Sequence, residues 1–572
     1  MSKILNSRNL LLVIIVLAFI FRIWGIGDRD LFGDEGVDAF RGVGYVDYLG
    51  TSFQTQPIDW FRDTTLPWWT NLSFHDFPPL AMIIQRAFFA VFGDSILVAR
   101  LPAVIFGTLS VLLIYFIVRR FLREGIALLA TFLFGINSVM VWIFRTSILE
   151  PILLFFILLN IYYFFKFIES MSGFRESIGF PKSIYWALFG VTFGFVALTK
   201  YTGVFLLPVY FVYLLIYDRK IFKSWQLYAA LLIVFLLFTP VLIYNFYLYQ
   251  ATGHFDLQFA YLLGQETPEW TGLVGKVQAP FSEIWKNLAT GAYESPSIFS
   301  SVVSYQIPFL VSAVMGFLYF LYRFVKKAGS QEERKLTIFL GLYLIFVTLL
   351  LAKIGSAHRF LALYGPIFVI LSSVALNWLW AKSSALKFLV GVFLVWEIFY
   401  SINRNLIQVP DYGIAKLDHF LEEEFKGKES GVIPESDNPH LNVIIKKFVN
   451  NKKGVLRQAQ DKRVLAMIVY NDNVELPILD WVFYRRFFYH STPVLFVENF
   501  NKAISAQGEN YFKNFTIYFV QSTENTLLNQ FKKEKIAGLE FENRLQEKGL
   551  RPVKIIYGHN NLPMFRVYKF II

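Results

Sequence analysis

Residues 226–247 read QLYAALLIVFLLFTPVLIYNFY and contain no charged side chain. A helix needs about 20 apolar residues to cross the hydrocarbon core of a bilayer, so this segment is predicted to span a membrane. The same rule predicts about eleven spans, at residues 8–27, 95–118, 126–144, 147–168, 184–199, 202–217, 226–247, 305–322, 336–352, 358–380 and 386–402. The mean hydropathy of +0.48 agrees with an all-α polytopic membrane protein.

The composition changes after residue 402, where charged and apolar residues become mixed. Short runs rich in β-branched and aromatic residues predict strands at 464–470, 493–497, 515–520, 552–557 and 565–571. Helical patterns lie between them at 525–536 and 539–548. We therefore expect two domains, a membrane module over 1–402 with outer loops 28–94 and 248–304, and a C-terminal α/β domain over 403–572.

The distribution of Lys and Arg predicts the orientation in the membrane. With the N-terminus inside, the inner loops hold most of the basic residues, whereas the outer loop 28–77 holds nine acidic residues and three Arg. An odd number of spans then places the C-terminal domain outside the cell membrane. The net charge of +12 is mostly this topology signal, so we expect no nucleic-acid partner. Residues 78–92 are apolar but short, and they predict a helix lying on the membrane surface.

The chain contains no cysteine. This excludes disulfide bonds, a thiolate nucleophile and a metal site with cysteine ligands. The first apolar run ends Arg22-Ile23-Trp24-Gly25 rather than in small residues, so it is interpreted as an uncleaved first helix.

Ionisable side chains cluster at the predicted outer ends of the spans. Such residues are costly close to a bilayer and tend to be functional or paired. They are Asp34, Glu35, His75, Asp76, Arg100, Arg145, Glu150, Lys200, Lys353, His358 and Arg359. Acids lie in the first loop and bases follow at later helix ends, a pattern suited to a carboxylate acting beside an anionic lipid phosphate.

Each of these residues also has a structural interpretation. Asp34 and Glu35 suit an exposed loop, and His75-Asp76 before Pro78-Pro79 suits a turn that begins a helix. Arg145 and Glu150 are close enough in sequence for a salt bridge. Lys200 and Arg359 are placed to reach lipid headgroups with their long side chains.

Taken together, the motifs resemble the GT-C class of lipid-phosphate-sugar glycosyltransferases, in particular the protein O-mannosyltransferase and aminoarabinose-transferase relatives. The matching stretches are Gly33-Asp34-Glu35-Gly36, His75-Asp76-Phe77-Pro78-Pro79-Leu80, Phe92-Gly93-Asp94-Ser95, Ala99-Arg100-Leu101-Pro102-Ala103, Phe144-Arg145 with Glu150, Leu198-Thr199-Lys200-Tyr201-Thr202-Gly203, and His358-Arg359-Phe360 leading to Pro366. Two positions depart from the family pattern, since relatives commonly have Asp at Glu150 and a polar residue at Phe77.

The resemblance implies a donor sugar, such as mannose or aminoarabinose, carried on a polyprenyl phosphate, and a hydroxyl acceptor on a protein, lipid or glycan. It makes Asp34 the general base with Glu35 in support, and it implies inversion at the anomeric carbon. The donor and its phosphate would be bound by His75, Asp76, Arg100, Arg145, Glu150, Lys200, His358 and Arg359. A retaining reaction would need a second carboxylate close to the first, and the neighbouring Glu35 leaves that alternative open.

A divalent metal is the only cofactor considered, with Asp34, Glu35, His75 and Asp76 as its candidate ligands. Asp28-Arg29-Asp30 resembles a metal-binding Asp-x-Asp, a tripeptide that is common by chance. No stretch of the sequence fits a nucleotide-phosphate loop, and Gly272-Leu-Val-Gly275-Lys276 does not.

The main alternative class is a transporter or flippase of a lipid-linked or anionic substrate. That class predicts interrupted helices and charges in the middle of the membrane. A surface-binding protein on a membrane anchor is a second alternative, but it needs neither eleven spans nor charges at so many outer helix ends.

Overall fold

The computed structural model describes residues 7–48, 55–61, 66–171, 184–265, 288, 297–355, 357–426, 465–471, 474, 477–490, 492–513, 515–526 and 536–572. Most of the predicted outer loop 248–304, with Lys276 and Lys286, lies outside these ranges, as does most of the predicted helix 525–536. The described chain forms two compact units. The helical unit comprises Met1–Ile26, Trp69–Ile84 and Arg100–Gln408, and the α/β unit comprises Gly27–Trp68, Gln85–Ala99 and Val409–Ile572.

In the described residues, α-helices occur in both units. The α-helices are α1 Ser7–Ile23, α2 Asp34–Gly44, α3 Pro57–Trp60, α4 Leu80–Phe92, α5 Ile96–Phe121, α6 Glu124–Ile136, α7 Ser138–Ile143, α8 Glu150–Met171, α9 Tyr185–Thr199, α10 Leu206–Tyr217, α11 Trp225–Thr252, α12 Leu257–Leu263, α13 Ile298–Val302, α14 Ile307–Val325, α15 Gln331–Ile354, α16 Gly365–Trp380, α17 Ser384–Ile402, α18 Ile414–Phe425, α19 Arg485–His490, α20 Val497–Gln507 and α21 Ile536–Glu547. Short 3-10 or π-helical segments are Trp68–Asn71, Tyr201–Phe205, Arg219–Lys223, Val303–Tyr305, His358–Tyr364, Asn403–Ile407, Ile478–Tyr484, Glu509–Phe512 and His559–Asn561.

All eleven predicted spans fall on helical segments. Seven helical stretches in the described residues are long and apolar enough to cross a membrane, and four further apolar helices are shorter. This confirms an all-α polytopic membrane protein, while the number of spans stays a prediction. Pro102 and Pro240 lie inside α5 and α11, and both helices continue through them. The short segment predicted at 78–92 is helix α4, and its position on the membrane surface stays a prediction.

Polar side chains join neighbouring helices within the helical unit. Asn160 of α8 is fully buried and donates to Phe189 O and Thr192 Oγ1 of α9, each at 2.9 Å. Its Oδ1 accepts a hydrogen bond from Tyr210 OH of α10 at 2.7 Å. Apolar contact alone gives little specificity between helices in lipid, so such interhelical hydrogen bonds help to fix which helices pair.

The α/β unit is built on one mixed sheet. Its strands are β1 Leu465–Tyr470, β2 Val494–Phe496, β3 Phe515–Ser522, β4 Lys554–Tyr557 and β5 Pro563–Phe570. Their order is β2-β1-β3-β5-β4, with β1 parallel to β2 and β3, and β5 antiparallel to β3 and β4. Each strand coincides with a predicted one, which confirms the C-terminal α/β fold.

Both faces of the sheet are covered by helices. Phe519 packs against Phe541 of α21 on one face, in a buried cluster that also contains Phe500 of α20. On the other face the Tyr518 ring meets Phe425 of α18, and its hydroxyl donates to Glu424 at 2.7 Å. A sheet buried on both faces explains why β3 has no exposed residue.

Candidate functional site

The predicted acidic pair begins helix α2. Gly33 precedes the helix with a φ of +45°, a conformation that side-chain-bearing residues rarely adopt. Asp34 is the first helical residue and is exposed, whereas Glu35 is 1% exposed. The Glu35 carboxylate turns back to accept a hydrogen bond from the Phe32 amide at 3.2 Å. Of the two acids, Glu35 therefore stabilises the N-terminal end of α2, and Asp34 faces solvent.

A second predicted cluster lies in the helical unit around Glu150, the first residue of α8. Its Oε1 is 2.6 Å from Lys200 Nζ and 3.4 Å from Arg359 Nε. Lys200 follows α9 and Arg359 lies in the turn His358–Tyr364, so three separate chain segments converge here. The Phe360 ring lies under both cations, 4.9 Å from Lys200 Nζ and 5.3 Å from the Arg359 guanidinium carbon.

The exposure of this cluster decides what it can bind. The Glu150 side chain is 2% exposed, whereas Lys200 is 17% and Arg359 is 36% exposed. One buried carboxylate and two partly exposed cations leave one net positive charge facing outward. Such a cluster can hold an anionic oxygen by charge-assisted hydrogen bonds.

His358 lies beside this cluster in sequence and is half-buried. Its ring packs edge-on against Trp142 at 4.9 Å, and its Nε2 is 3.2 Å from an Arg404 guanidinium nitrogen. The neighbouring cation favours neutral imidazole, with Nε2 as the acceptor.

Arg100 and Arg145 are buried among backbone carbonyl groups. Arg145 donates to Phe21 O and Trp24 O at 2.8 Å, and Arg100 donates to Ile26 O at 2.7 Å. These carbonyls lie at and just after the end of α1, where a helix leaves acceptors without intrahelical partners. The contacts give both arginines a role in fixing the end of α1, and their binding of phosphate stays a prediction.

His75 and Asp76 lie in the turn before α4. His75 is fully buried and its ring meets the His254 ring edge-on at 5.8 Å, while Asp76 is half-buried. The His75 carbonyl accepts a hydrogen bond from the Leu257 amide at 2.9 Å. The turn is thereby tied to the segment that follows α11.

Asp256, which the sequence analysis did not single out, organises that segment. It is fully buried and accepts hydrogen bonds from Tyr201 OH at 2.7 Å, from Asn245 Nδ2 at 2.9 Å and from the Phe259 amide at 2.9 Å. Burial raises the pKa of Asp256 to about 6, although the bonds from Asn245, Phe259 and Tyr201 lower it. An Asp directly before the apolar stretch of α12 is an N-cap signal that the sequence does contain.

Asp94, part of one of the family-like stretches, lies in the α/β unit before α5. His490 Nε2 is 2.6 Å and Arg485 is 3.2 Å from its Oδ2. Burial raises the pKa of Asp94, but the hydrogen bond and charges of these partners outweigh it, so the pKa lies well below its usual range. The group borders a cavity of about 520 Å³ lined by charged side chains of α18 and α19.

The Asp28-Arg29-Asp30 stretch has a structural role at Asp30. This side chain is 2% exposed and accepts hydrogen bonds from the amides of Tyr412 and Ala415, the latter at 2.8 Å. It therefore caps α18. Among the residues that the structure describes, no three His, Asp or Glu side chains are grouped so as to hold a metal ion.

Comparison with known proteins supports the family resemblance that the motifs predicted. A family model described as dolichyl-phosphate-mannose-protein mannosyltransferase matches residues 76–244. The fold is similar to that of ArnT from Cupriavidus metallidurans, solved bound to undecaprenyl phosphate, with a TM-score of 0.51, 13% identity, and coverage of 98% of this chain and 97% of that one. It is also similar to the Archaeoglobus fulgidus oligosaccharyltransferase in its apo form, with a TM-score of 0.51, 13% identity, and coverage of 91% and 70%.

A comparison of the sequence with curated proteins finds no significant match. The family match and the shared fold confirm the resemblance that the sequence motifs predicted.

Proposed function

Because this chain has the GT-C glycosyltransferase fold, we propose that it transfers a sugar from a polyprenyl-phosphate donor to a hydroxyl group at the outer face of a membrane. The observation that carries the proposal is the cluster of Lys200 and Arg359 around the buried Glu150. The similar fold of ArnT, solved with undecaprenyl phosphate, supports a lipid-linked donor.

The cationic cluster would bind the phosphate of the donor. Negative charge accumulates on that phosphate as its bond to the anomeric carbon breaks, and fixed cations stabilise the developing charge. Glu150 orients Lys200 and Arg359 through its Oε1, which keeps their donors in place without solvent reorganisation. His75, Asp76, Arg100, Arg145 and His358 complete the set of residues proposed for donor binding.

Asp34 would act as the general base. Its carboxylate takes the proton of the acceptor hydroxyl while that oxygen attacks the anomeric carbon, and the polyprenyl phosphate leaves with the electron pair of the broken bond. Asp34 is exposed and Glu35 is occupied by the Phe32 amide, which supports a single base and a single displacement with inversion. Positioned proton transfer of this kind contributes about 10²–10⁴-fold to a rate.

The sugar and the acceptor are proposed as chemical classes. The description of the matching family model favours a hexose such as mannose, and the resemblance of the sequence motifs to aminoarabinose transferases makes aminoarabinose the alternative. The acceptor is a hydroxyl on a protein, a lipid or a glycan, and the bilayer itself is the second partner. A divalent metal bound by Asp34, Glu35, His75 or Asp76 remains a proposal that metal addition and chelation would test.

The decisive experiment measures release of polyprenyl phosphate from a polyprenyl-phosphate mannose donor by the purified protein in detergent, with a hydroxyl-bearing peptide as acceptor. We expect Asp34→Asn to reduce turnover by about 10²-fold or more while donor binding persists, because Asn keeps the shape and loses the basicity. Turnover of Asp34→Asn within a few-fold of the unsubstituted protein would remove Asp34 from this role.

Donor analogues with other sugars test the proposal further. Export of intact donor from vesicles, without sugar transfer to any acceptor, would favour the transporter alternative.

A further inference from the structure

Helix α2 carries the proposed base and packs against the C-terminal part of the chain, while Gly42 and Val43 near its end also meet α4. Every residue from Glu35 to Val43 is buried. A helix of 11 residues is too short to be stable in water by itself, so its position depends on what it packs against. The residues at every fourth position of this helix show which neighbouring segment it packs against.

Gly36, Phe40 and Gly44 lie four residues apart and therefore share one face of α2. A Cβ atom on Gly36 would stand 2.7 Å from the Pro477 Cα, closer than real side chains approach. A Cβ atom on Gly44 would overlap the ring of Tyr489. The two glycines thus allow the backbone of α2 to lie directly against Pro477 and Tyr489.

Between the glycines, Phe40 fixes the helix by a polar and two aromatic contacts. Tyr489 OH donates to Phe40 O at 3.0 Å, and the two rings are 5.3 Å apart. The Phe488 ring lies 5.7 Å from the Phe40 ring. Beyond the end of α2, Tyr48 continues the same contact against Tyr484 at 5.9 Å.

We propose that the segment Pro477–Tyr489 positions the Asp34 carboxylate for proton transfer, with Tyr489 as the positioning residue. This inference rests on the proposed function of Asp34. It assigns the C-terminal α/β fold a part in the reaction, since the connection between β1 and β2 sets the position of the base.

The distance along α2 between the Tyr489 contact and Asp34 gives the expected displacement of the base and the resulting loss of rate. Phe40 and Asp34 are six residues apart, which is about 9 Å along a helix axis. A tilt of about 10° at the Tyr489 contact would therefore move Asp34 by roughly 1.5 Å, and a displacement of about 1 Å can cost 10²-fold in rate. The donor cations Lys200 and Arg359 belong to the helical unit, so donor affinity should not follow this tilt.

Gly44→Ala is the primary test, because its added methyl group must displace the Tyr489 ring or tilt α2. We expect a fall in kcat of about 10–100-fold with the donor KM within twofold. Tyr489→Phe removes only the hydroxyl and should lower kcat a few-fold. Gly125→Ala is the matched control, since it adds a Cβ at an exposed helical glycine with nothing within 4 Å, and its kcat should be unchanged.

A double variant distinguishes loss of the positioning contact from an unrelated loss of protein stability or activity. Tyr489→Ala removes the ring that Gly44→Ala would strike, so the double variant should lose less kcat than the product of the two single losses. Independent, multiplicative losses would overturn the proposal, as would an unchanged kcat or a matching rise in donor KM in Gly44→Ala.

A second readout does not need activity. The chain has no cysteine, so Asp34→Cys provides a unique site for a nitroxide spin label. We expect the label to be more mobile in the Gly44→Ala background and unchanged with Gly125→Ala. Unchanged mobility in both backgrounds would overturn the positioning role. Absence of transfer by the unsubstituted protein would instead refute the proposed function, whatever the label reports.

Discussion

At the scale of single residues, Glu150 affects both the stability of the fold and the proposed binding of the donor phosphate. A buried carboxylate is tolerated because Lys200 and Arg359 neutralise it, and the same cations are the ones proposed to bind phosphate. Removing a cation should therefore affect folding as well as donor use. The two effects can be separated because the loss of stability depends on the buried charge of Glu150, whereas the loss of donor use does not.

We expect Lys200→Ala to lower kcat/KM for the donor by about 10²-fold, the typical loss when one fixed charge-stabilising donor is removed. The partly exposed Lys335, which pairs with Glu332 at 2.7 Å, is the matched control, and Lys335→Ala should change little. Arg359→Ala should weaken donor use in the same way. Unchanged donor kinetics in both Lys200→Ala and Arg359→Ala would place the phosphate elsewhere.

The double variant Lys200→Ala/Glu150→Ala tests the separation. Lys200→Ala alone leaves a buried carboxylate with one cation fewer and should lower the thermal midpoint, whereas the double variant should recover the midpoint but not donor use. Recovery of both by the double variant would mean that Lys200 acts only through folding.

Asp256 predicts a pH dependence of stability. Its pKa of about 6 lies above the ordinary value of 3.8. An acid with a higher pKa in the folded state stabilises the fold when protonated, so its contribution is complete below about pH 4 and is lost as the pH rises through 6. The shift corresponds to about 3 kcal/mol. Thermal midpoints from pH 4 to 7 should show the advantage of the unsubstituted protein over Asp256→Asn shrinking, and a constant difference would contradict this.

At the scale of elements, the cap of α18 offers a local test. Asp30→Ala removes the acceptor from the buried Ala415 amide and the partly buried Tyr412 amide, which should cost about 1–3 kcal/mol. Asp28→Ala, two residues away and exposed, is the control and should cost almost nothing. Unfolding midpoints of the two variants provide the comparison, and equal values would show that Asp30 does not support α18.

Helices and strands were predictable because their signals are local. Uninterrupted apolar runs marked the spans, and β-branched and aromatic runs marked the five strands of the described sheet. The Glu150 cluster was partly predictable, since Lys200 and Arg359 share the outer ends of helices with it. Pairings between distant positions were not, because Asp30 and Ala415 are 385 residues apart and periodicity contains no information at that distance.

At the scale of the whole molecule, the basic residues in the loops predict the orientation in the membrane. The basic residues between α14 and α15, and again after α16, predict an inner location, which places residues after Ile402 on the outer side. Reporter fusions at Ser330 and after Ile402 should therefore report opposite sides of the membrane. Reports from the same side would show that the count of spans between them is wrong.

The long separation between α2 and its neighbours has a consequence for biosynthesis. Phe40 and Tyr489, which are joined by a hydrogen bond, are 449 residues apart. At a synthesis rate of about 5–20 residues per second, α2 leaves the ribosome roughly 20–90 s before Tyr489 exists. During that interval the face of α2 that packs against Pro477 and Tyr489 lacks this native neighbour, so nascent chains that end before Pro477 should expose that face to proteases and chaperones even when every membrane helix has been inserted.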